Sequence, residues 1–158
     1  ACKEEKSTIF TYKVSDPENF GIYDIKRKKV FEKPKKYISN EAVVGIYFMD
    51  NNVTQYVNKI NYSNRNELEI TDLINIYLKK KKMNVVDLGR GTAWLDTGTF
   101  EGMLNASNFV MTVEKRQGLQ VANLEEIAYQ NKWVSRKKLL HIIRKHKSEY
   151  YNYLRKII

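Results

Sequence analysis

The chain reads Gly-Arg-Gly-Thr-Ala-Trp-Leu-Asp-Thr-Gly-Thr at residues 89–99, between an apolar run and a long amphipathic segment. The apolar run, 83–88, has the composition of a β-strand, and the two glycines that flank Arg90 permit a tight turn. We therefore predict a strand, a turn and the start of a helix, with Asp96 at the junction. Ligands of open α/β sheets bind at such junctions, because strand carboxyl ends and helix amino ends face one crevice.

Helix capping is a second interpretation of the same residues. Asp96, Thr97 and Thr99 all lie just before the amphipathic segment. Asp and Thr are preferred N-caps, because their side-chain oxygens accept hydrogen bonds from the free backbone N–H groups of the first turn. The pattern alone leaves open whether Asp96 binds a ligand or only caps the helix.

Apolar runs bounded by turn residues predict the strands of an α/β sheet. The run at 42–49 is apolar on both faces, which predicts a central strand that is covered on both sides. A basic turn between two short runs predicts a hairpin. The predicted strands are residues 8–14, 20–25, 29–34, 42–49 and 83–88.

Apolar residues at helical spacing predict helices between and after these strands. The clearest helix has its apolar positions at Ile70, Leu73, Ile74, Tyr77 and Leu78. Four further helices are predicted: from a cap at Asp50 through Ile60, from Phe100 to a terminating Gly118, from a capping box of Asn123 and Glu126 through Tyr129, and from Ser135 towards Arg155.

Composition excludes several classes of protein. Cys2 is the only cysteine among the 158 residues, so no internal disulfide can form. His141 and His146 lack His-Glu-x-x-His spacing and cysteine partners, which disfavours a zinc site. No apolar run is long enough to cross a membrane and no signal peptide is recognised, so we expect a soluble cytoplasmic protein.

The formal charge of +10 is compatible with nucleic-acid binding, and also with a basic site for a small phosphorylated ligand. The cationic residues form short separate groups, as helix ends and turns often do, which disfavours an extended nucleic-acid interface. These groups lie at 26–29, 33–36, 79–82 and 136–138.

Three strings together resemble the bacterial glucose-1-phosphate thymidylyltransferases, sugar nucleotidyltransferases that make dTDP-glucose. They are Glu-Leu-Glu-Ile-Thr-Asp at 67–72, Trp-Leu-Asp-Thr-Gly-Thr at 94–99 and Glu-Lys-Arg-Gln-Gly-Leu at 114–119. The resemblance runs from about residue 8 to about residue 134. The family's Gly-Gly-x-Gly-Thr-Arg loop, which holds the nucleoside triphosphate, has no counterpart in the sequence. The chain therefore resembles the C-terminal half of such an enzyme.

The resemblance implies an α/β fold, the C-terminal half of the Rossmann-like nucleotide-diphospho-sugar transferase fold. We expect a mixed sheet, flanking helices and a helical C-terminal tail. Residues 1–134 would form the sugar-phosphate-binding and dimerisation half, and residues 135–158 a C-terminal helix. A complementary N-terminal half would hold dTTP or dTDP-glucose, and the protein would be a homo-oligomer.

The resemblance also implies a sugar-phosphate site. Arg65 matches the family arginine that binds the sugar phosphate, although Asn66 stands where the family usually has glycine. Glu32 matches the glutamate that accepts hydrogen bonds from the sugar hydroxyls, and Lys33 matches its phosphate-facing neighbour. For Lys33 an exposed turn lysine is an equally simple interpretation.

Four further positions are implied near the reacting groups. Gly21 and Val43 match residues whose backbone contacts the sugar, and Trp94 matches the tryptophan beside the metal-binding aspartate. Asp96 matches the second Mg²⁺ ligand of the family. One carboxylate does not complete a Mg²⁺ site, because the ion requires octahedral oxygens from carboxylates, phosphates and water.

A regulatory nucleotide site is implied at Arg90, Val121 and Glu126, which resemble positions of the family's second nucleotide site at a subunit interface. Simple structural roles stand beside this prediction: Arg90 in a turn, and Glu126 in a capping box.

The implied function is thymidylyl transfer to glucose 1-phosphate with Mg²⁺, in which Arg65 and Asp96 are the catalytic residues. Two alternatives remain from the sequence. The chain is a non-catalytic remnant or regulatory partner of such an enzyme, or it is a basic RNA-binding module.

Overall fold

The computed structural model describes residues 6–158, which divide into two units on either side of the Trp94–Leu95 bond. The first unit contains a mixed five-stranded sheet with helices, and the second is helical. The predicted α/β class with a mixed sheet and flanking helices is confirmed. Among the described residues, no helix is long and apolar enough to span a membrane.

Five strands form the sheet in the spatial order β3-β2-β4-β1-β5. Strand β1 pairs antiparallel with β4 and parallel with β5, and the β2–β3 hairpin joins β4 through Ile22 and Ala42. The strands are β1 (Ser7–Lys13), β2 (Gly21–Asp24), β3 (Lys29–Glu32), β4 (Glu41–Phe48) and β5 (Met83–Asp87).

The predicted central strand is confirmed, since β4 lies between the hairpin and β1. The expectation that it is covered on both sides is met only in its first half. Ala42 and Val44 are buried, whereas the side chains of Ile46 and Phe48 are about half exposed. An apolar sequence indicates that its residues prefer burial. It does not indicate whether the described chain contains other residues that cover both faces of the strand.

Two helices pack within the first unit, α1 (Val53–Val57) and α2 (Ile70–Lys79). The predicted apolar face of α2 buries Leu73, Ile74 and Tyr77. Helix α1 is shorter than predicted, and its N-cap is Asn52 rather than Asp50. The Asp50 carboxylate instead accepts hydrogen bonds from the Asn52 backbone N–H at 3.0 Å and from the Tyr77 hydroxyl at 2.7 Å.

The second unit consists of four helices, α3 (Phe100–Gln117), α4 (Leu124–Gln130), α5 (Arg136–Arg144) and α6 (Glu149–Ile157). Three local signals are confirmed. Gly118 ends α3 in the left-handed conformation, the Asn123 side chain caps α4, and the Ser135 side chain caps α5.

The prediction of one helix from Ser135 towards Arg155 is wrong, because the segment forms α5 and α6 as separate helices. The bend allows Tyr153 and Leu154 to pack against Leu139 and Ile143, which together form the buried cluster of this unit. The Arg155 guanidinium donates to the carbonyl oxygens of Ile143 and His146 and so covers the end of α5. Tertiary packing therefore outweighs the local preference for a continuous helix.

Candidate functional site

Gly21 and Glu32 face each other at one end of the β2–β3 hairpin, where they form a cross-strand pair. A Cβ atom at position 21 would lie 3.0 Å from the Thr71 methyl group and 3.4 Å from a Glu32 carboxylate oxygen. The missing side chain thus leaves a narrow recess, tight even for a Cβ atom, bounded by Glu32 and by the first turn of α2. A side chain at position 21 would press against Thr71 and Glu32.

Arg65 lies in a tight loop that precedes α2. Its backbone N–H donates to the Ser63 hydroxyl at 3.1 Å, and the Asn66 N–H donates to the Ser63 carbonyl at 2.9 Å. Asn66 has φ of 59°, a left-handed value that Asn tolerates better than most residues with a side chain. The loop therefore forms without the glycine that the resemblance led us to expect.

Three carboxylates surround the Arg65 guanidinium. Its Nε and Nη2 donate to the two oxygens of Glu69 at 3.1 and 3.2 Å, and Nη2 also donates to Glu67 at 2.5 Å. Its Nη1 faces a Glu32 oxygen at 3.8 Å, beyond hydrogen-bond distance. Glu69 is buried and also accepts from the Ser63 hydroxyl at 2.7 Å, so it fixes the plane of the guanidinium.

Glu32 lies in an environment that disfavours its ionised form. Burial raises the pKa of the Glu32 carboxyl, and the negative charge of Glu69 raises it further. Arg65, Lys33 and a hydrogen bond from Thr71 oppose this increase without cancelling it. An acidic group whose pKa is shifted in a recess is typical of a functional site.

Tyr47 of β4 is affected by the Glu32 charge and was not predicted. Burial raises the pKa of the Tyr47 hydroxyl, and the negative charge of Glu32 raises it further. In the sequence Tyr47 is one apolar-run residue among several, so no local signal distinguishes it. For Glu69 and Thr71 the sequence did contain a signal, because both residues lie in the string at 67–72 that resembles the family.

The remaining predicted residues of the first unit lie around this recess or next to it. Lys33 follows Glu32 directly, is exposed, has φ of 38° and donates its N–H to the Phe20 carbonyl at 3.0 Å. The Trp94 ring makes edge contacts with Phe20 at 5.0 Å and with Tyr12 at 5.9 Å, measured between ring centroids. Phe20 precedes Gly21, so Trp94 lies beside the strand that carries the recess.

Val43 occupies the central strand opposite Thr11 and packs against a buried cluster that contains Ile9, Val30 and Ile74. Its side chain therefore serves the core. Any contact with a ligand would come from its backbone, as the resemblance implies.

Asp96 belongs to the second unit and does not cap α3. The N-cap is Thr99, whose hydroxyl accepts from the Gly102 N–H at 3.0 Å. An Asp96 oxygen lies 3.4 Å from the Gly98 N–H, which is a long contact. The capping interpretation therefore applies to Thr99, and it leaves the exposed Asp96 carboxylate uncommitted.

The Asp96 carboxylate has the chemistry that Mg²⁺ prefers, but it is one ligand of the several that the ion needs. Residues 6–158 contain no group of three or more His, Cys, Asp or Glu side chains arranged to hold a metal. Further oxygens would have to come from substrate phosphates, water or groups outside the described residues.

The three predicted regulatory residues have clear local roles. Arg90 lies in the turn after β5 and lines a cavity of about 110 Å³ with Tyr12 and Asp87. The Val121 N–H donates to a Glu114 carboxylate oxygen at 2.8 Å. The Glu126 carboxylate accepts from Tyr153 at 2.6 Å and from Gln130 at 2.9 Å, so the reciprocal half of the predicted capping box is wrong.

Comparison with known proteins places these observations in a family. The family model described as nucleotidyl transferase matches residues 1–113. A glucose-1-phosphate thymidylyltransferase of Neisseria meningitidis serogroup A is 40% identical over 100% of this chain and 57% of its own length. One of Mycobacterium tuberculosis is 41% identical over 95% of this chain and 54% of its own length.

Solved structures of nucleotidyltransferases match this chain as well. A Bacillus anthracis structure assigned as a glucose-1-phosphate thymidylyltransferase, in complex with sucrose, matches with a TM-score of 0.59 and 34% identity over 68% of this chain and 44% of that one. A UDP-glucose pyrophosphorylase complexed with UDP-glucose matches with a TM-score of 0.60 and 24% identity, over the same shares of the two chains. The second likeness concerns the fold alone.

The sheet, its flanking helices and these matches show that the chain has the nucleotide-sugar transferase fold and belongs to the nucleotidyl transferase family. The curated relatives reported above carry the name glucose-1-phosphate thymidylyltransferase, which confirms the predicted family. The chain spans about half the length of these relatives.

Proposed function

We propose that this chain provides the sugar-phosphate-binding part of a glucose-1-phosphate thymidylyltransferase. In that reaction a phosphate oxygen of glucose 1-phosphate attacks the α-phosphorus of dTTP. The new P–O bond gives dTDP-glucose, and the bond to the β-phosphate oxygen breaks to release pyrophosphate. The observation that carries the proposal is the Arg65 guanidinium, whose Nη1 faces the carboxylate of Glu32, the cross-strand partner of Gly21, at 3.8 Å.

In this proposal Arg65 binds the sugar phosphate. Its contact with the exposed Glu67 is the one that an incoming phosphate dianion displaces, since the buried Glu69 holds the guanidinium through both Nε and Nη2. A planar guanidinium suits two phosphate oxygens at once. Lys33, directly after Glu32, adds a second positive charge for the phosphate.

Glu32 accepts hydrogen bonds from the sugar hydroxyls, and Gly21 and Val43 contact the sugar through their backbone. The close approach of Gly21 to Glu32 supports this assignment, because a sugar that contacts the Gly21 backbone would also lie near the Glu32 carboxylate. Trp94 supports the strand that carries Gly21 through its contact with Phe20.

Mg²⁺ is the proposed cofactor and Asp96 the proposed ligand from this chain. When bound, the ion would neutralise charge on the phosphates during transfer. Arg90, Val121 and Glu126 are proposed to serve nucleotide regulation in a homo-oligomer, and the protein is proposed to act in the cytoplasm.

Calorimetric titration of the 158-residue chain with glucose 1-phosphate tests the sugar-phosphate site. Replacing Arg65 by Gln removes a charge-assisted contact, so we expect binding to weaken by about tenfold to a hundredfold. Arg144→Gln is the matched control, because Arg144 is an exposed arginine of α5 in the second unit. Separate titrations with glucose and with inorganic phosphate measure how much each part of glucose 1-phosphate contributes to binding.

The proposal is contradicted if Arg65→Gln and Arg144→Gln bind glucose 1-phosphate equally well. It is also contradicted if wild-type protein binds glucose 1-phosphate no better than inorganic phosphate, since Glu32 and the recess would then contribute nothing.

A further inference from the structure

A second cavity, of about 430 Å³, lies between the β2–β3 turn and one face of α2. The helix contributes Asp72, Asn75, Ile76 and Lys79, which follow i, i+3, i+4 and i+7 spacing and so share one face. Gly21, Glu32 and Arg65 do not line this cavity. It is therefore separate from the proposed sugar-phosphate site.

Asn75 holds the walls of this cavity together. Its side-chain oxygen accepts from the Val30 N–H and its side-chain amide donates to the Val30 carbonyl, both at 2.8 Å. Strand β3 is at the edge of the sheet, so Asn75 satisfies backbone groups that would otherwise be unpaired on this side. The helix and the hairpin turn are thus fixed at a defined separation.

The cavity brings together two cationic groups that are about fifty residues apart in the sequence. Arg27, Lys28 and Lys29 come from the hairpin turn, and Lys79 comes from the last turn of α2. Asp72 is the acidic residue among those that line the cavity. Of the ion pairs between described residues, only that of Arg27 with Asp24 involves one of these four cations.

Aromatic packing holds two of these charges close together. The Lys29 ammonium lies 5.1 Å from the centroid of the Phe31 ring, and the Arg27 guanidinium carbon lies 6.0 Å from it. Cations at this distance from an aromatic ring are attracted by its π electrons. The ring therefore stabilises a local excess of positive charge that like-charge repulsion would otherwise disperse.

We propose that this cavity binds a small polyphosphorylated anion, with Arg27, Lys28, Lys29 and Lys79 as its cationic contacts. The volume lies within the range of small-molecule sites, and the walls combine the apolar Ile76 with convergent polar groups. A nucleic-acid strand would instead need a continuous basic groove with stacking aromatic rings. Several phosphate groups in one compact ligand match four cations that line one open cavity.

Inorganic tripolyphosphate is the probe, titrated into the 158-residue chain at constant ionic strength. We expect saturable binding that the double variant Arg27→Gln/Lys79→Gln weakens by about tenfold to a hundredfold, because charge-assisted contacts are lost. Lys137→Gln/Lys138→Gln is the matched control, since it removes the same net charge from exposed positions of α5.

NMR of the wild-type chain provides a readout that requires no substitution. Tripolyphosphate should shift the Asn75 side-chain amide signals, since that amide lines the cavity and bonds to Val30. This measurement tests the proposed anion site even if the double variant does not fold.

Three results would overturn the proposal. They are the absence of saturable binding, equal weakening by the two double variants, and unchanged Asn75 signals at saturation. Tighter binding of a single-stranded RNA oligonucleotide that depends on Tyr37 would do so as well. Tyr37 is 77% exposed and lines a different cavity with Lys26 and Arg27, as an RNA-stacking residue would.

Discussion

The fold disfavours the ionised form of the Glu32 carboxyl group. Its carboxyl is partly buried and close to the buried Glu69, so the ionised form is disfavoured even though Arg65 lies nearby. Evolution towards stability alone would replace such a group with a neutral one. A ligand that offers hydroxyl donors would stabilise the ionised form, which is consistent with the proposed contact to the sugar.

Replacing Glu32 by Gln should therefore change how stability depends on pH. A group whose pKa is raised in the folded state stabilises the fold below its unfolded pKa, and this stabilisation is lost as pH rises through the folded pKa. The free energy of unfolding of wild type relative to Glu32→Gln should thus be lower at pH 7 than at pH 4.

Urea denaturation of both proteins at the two pH values measures this difference. Other carboxyl groups titrate equally in both proteins, so their effects cancel. A difference that is the same at pH 4 and pH 7 would show that the Glu32 pKa is not shifted.

The start of α3 separates a structural residue from a candidate functional one. Thr99 caps the helix, while the backbone oxygen of Asp96 lies so close to the first turn that a Cβ on Gly102 would be 2.5 Å from it. Gly102 thus permits the chain to fold tightly onto the helix and holds the Asp96 backbone in place. The Asp96 side chain takes no part in the cap.

We predict that substitutions at Thr99 and at Asp96 affect thermal stability differently. Thr99→Ala should destabilise the protein by about 0.5–2 kcal/mol, because the cap hydrogen bond is lost, whereas Asp96→Asn should leave the melting temperature unchanged. Thermal unfolding followed by circular dichroism measures both.

The Asp96→Asn substitution can also be tested for an effect on catalysis, in a chimera that joins this chain to the first half of a homologous thymidylyltransferase. Asp96→Asn should lower kcat and raise the Mg²⁺ concentration needed for activity, because the amide keeps the shape but not the charge. An Asp96→Asn chimera with unchanged kcat and Mg²⁺ dependence would rule out the metal role.

At the scale of the whole chain, the second unit exposes apolar surface that a stable monomer would not be expected to retain. Helix α3 buries none of its residues, and it exposes the apolar side chains of Phe100, Met103, Leu104, Phe109 and Met111. Phe100 is 94% exposed, and Leu104 is 61% exposed. Contiguous apolar surface of this kind typically marks an interface between proteins or between domains.

We predict that the 158-residue chain associates with itself at micromolar concentrations. Light scattering after size exclusion should give a mass above 18.7 kDa, and Phe100→Ser/Leu104→Lys should lower it to that of the monomer. Leu124→Ser is the control, because Leu124 is also highly exposed but lies at the start of α4. A monomeric wild-type chain would contradict the prediction.

The sequence by itself determined the order of strands and helices, several helix caps and the family. These features depend on short-range physics: alternation in strands, helical spacing in α2, and cap hydrogen bonds between residues three apart at Ser135 and Asn123. It also suggested Arg65, Glu32 and Asp96 as candidate site residues, because their positions match those of a family that the chain resembles. It could not choose between capping and metal binding at Asp96, since both use the same residue types at a helix start.

Only the tertiary structure decided which distant side chains meet. It placed three glutamates around Arg65, and Lys79 opposite the basic hairpin turn. It also divided the C-terminal segment into α5 and α6, because their buried faces pack together. Burial and charge at a site depend on contacts between residues far apart in sequence, and no local pattern records those contacts.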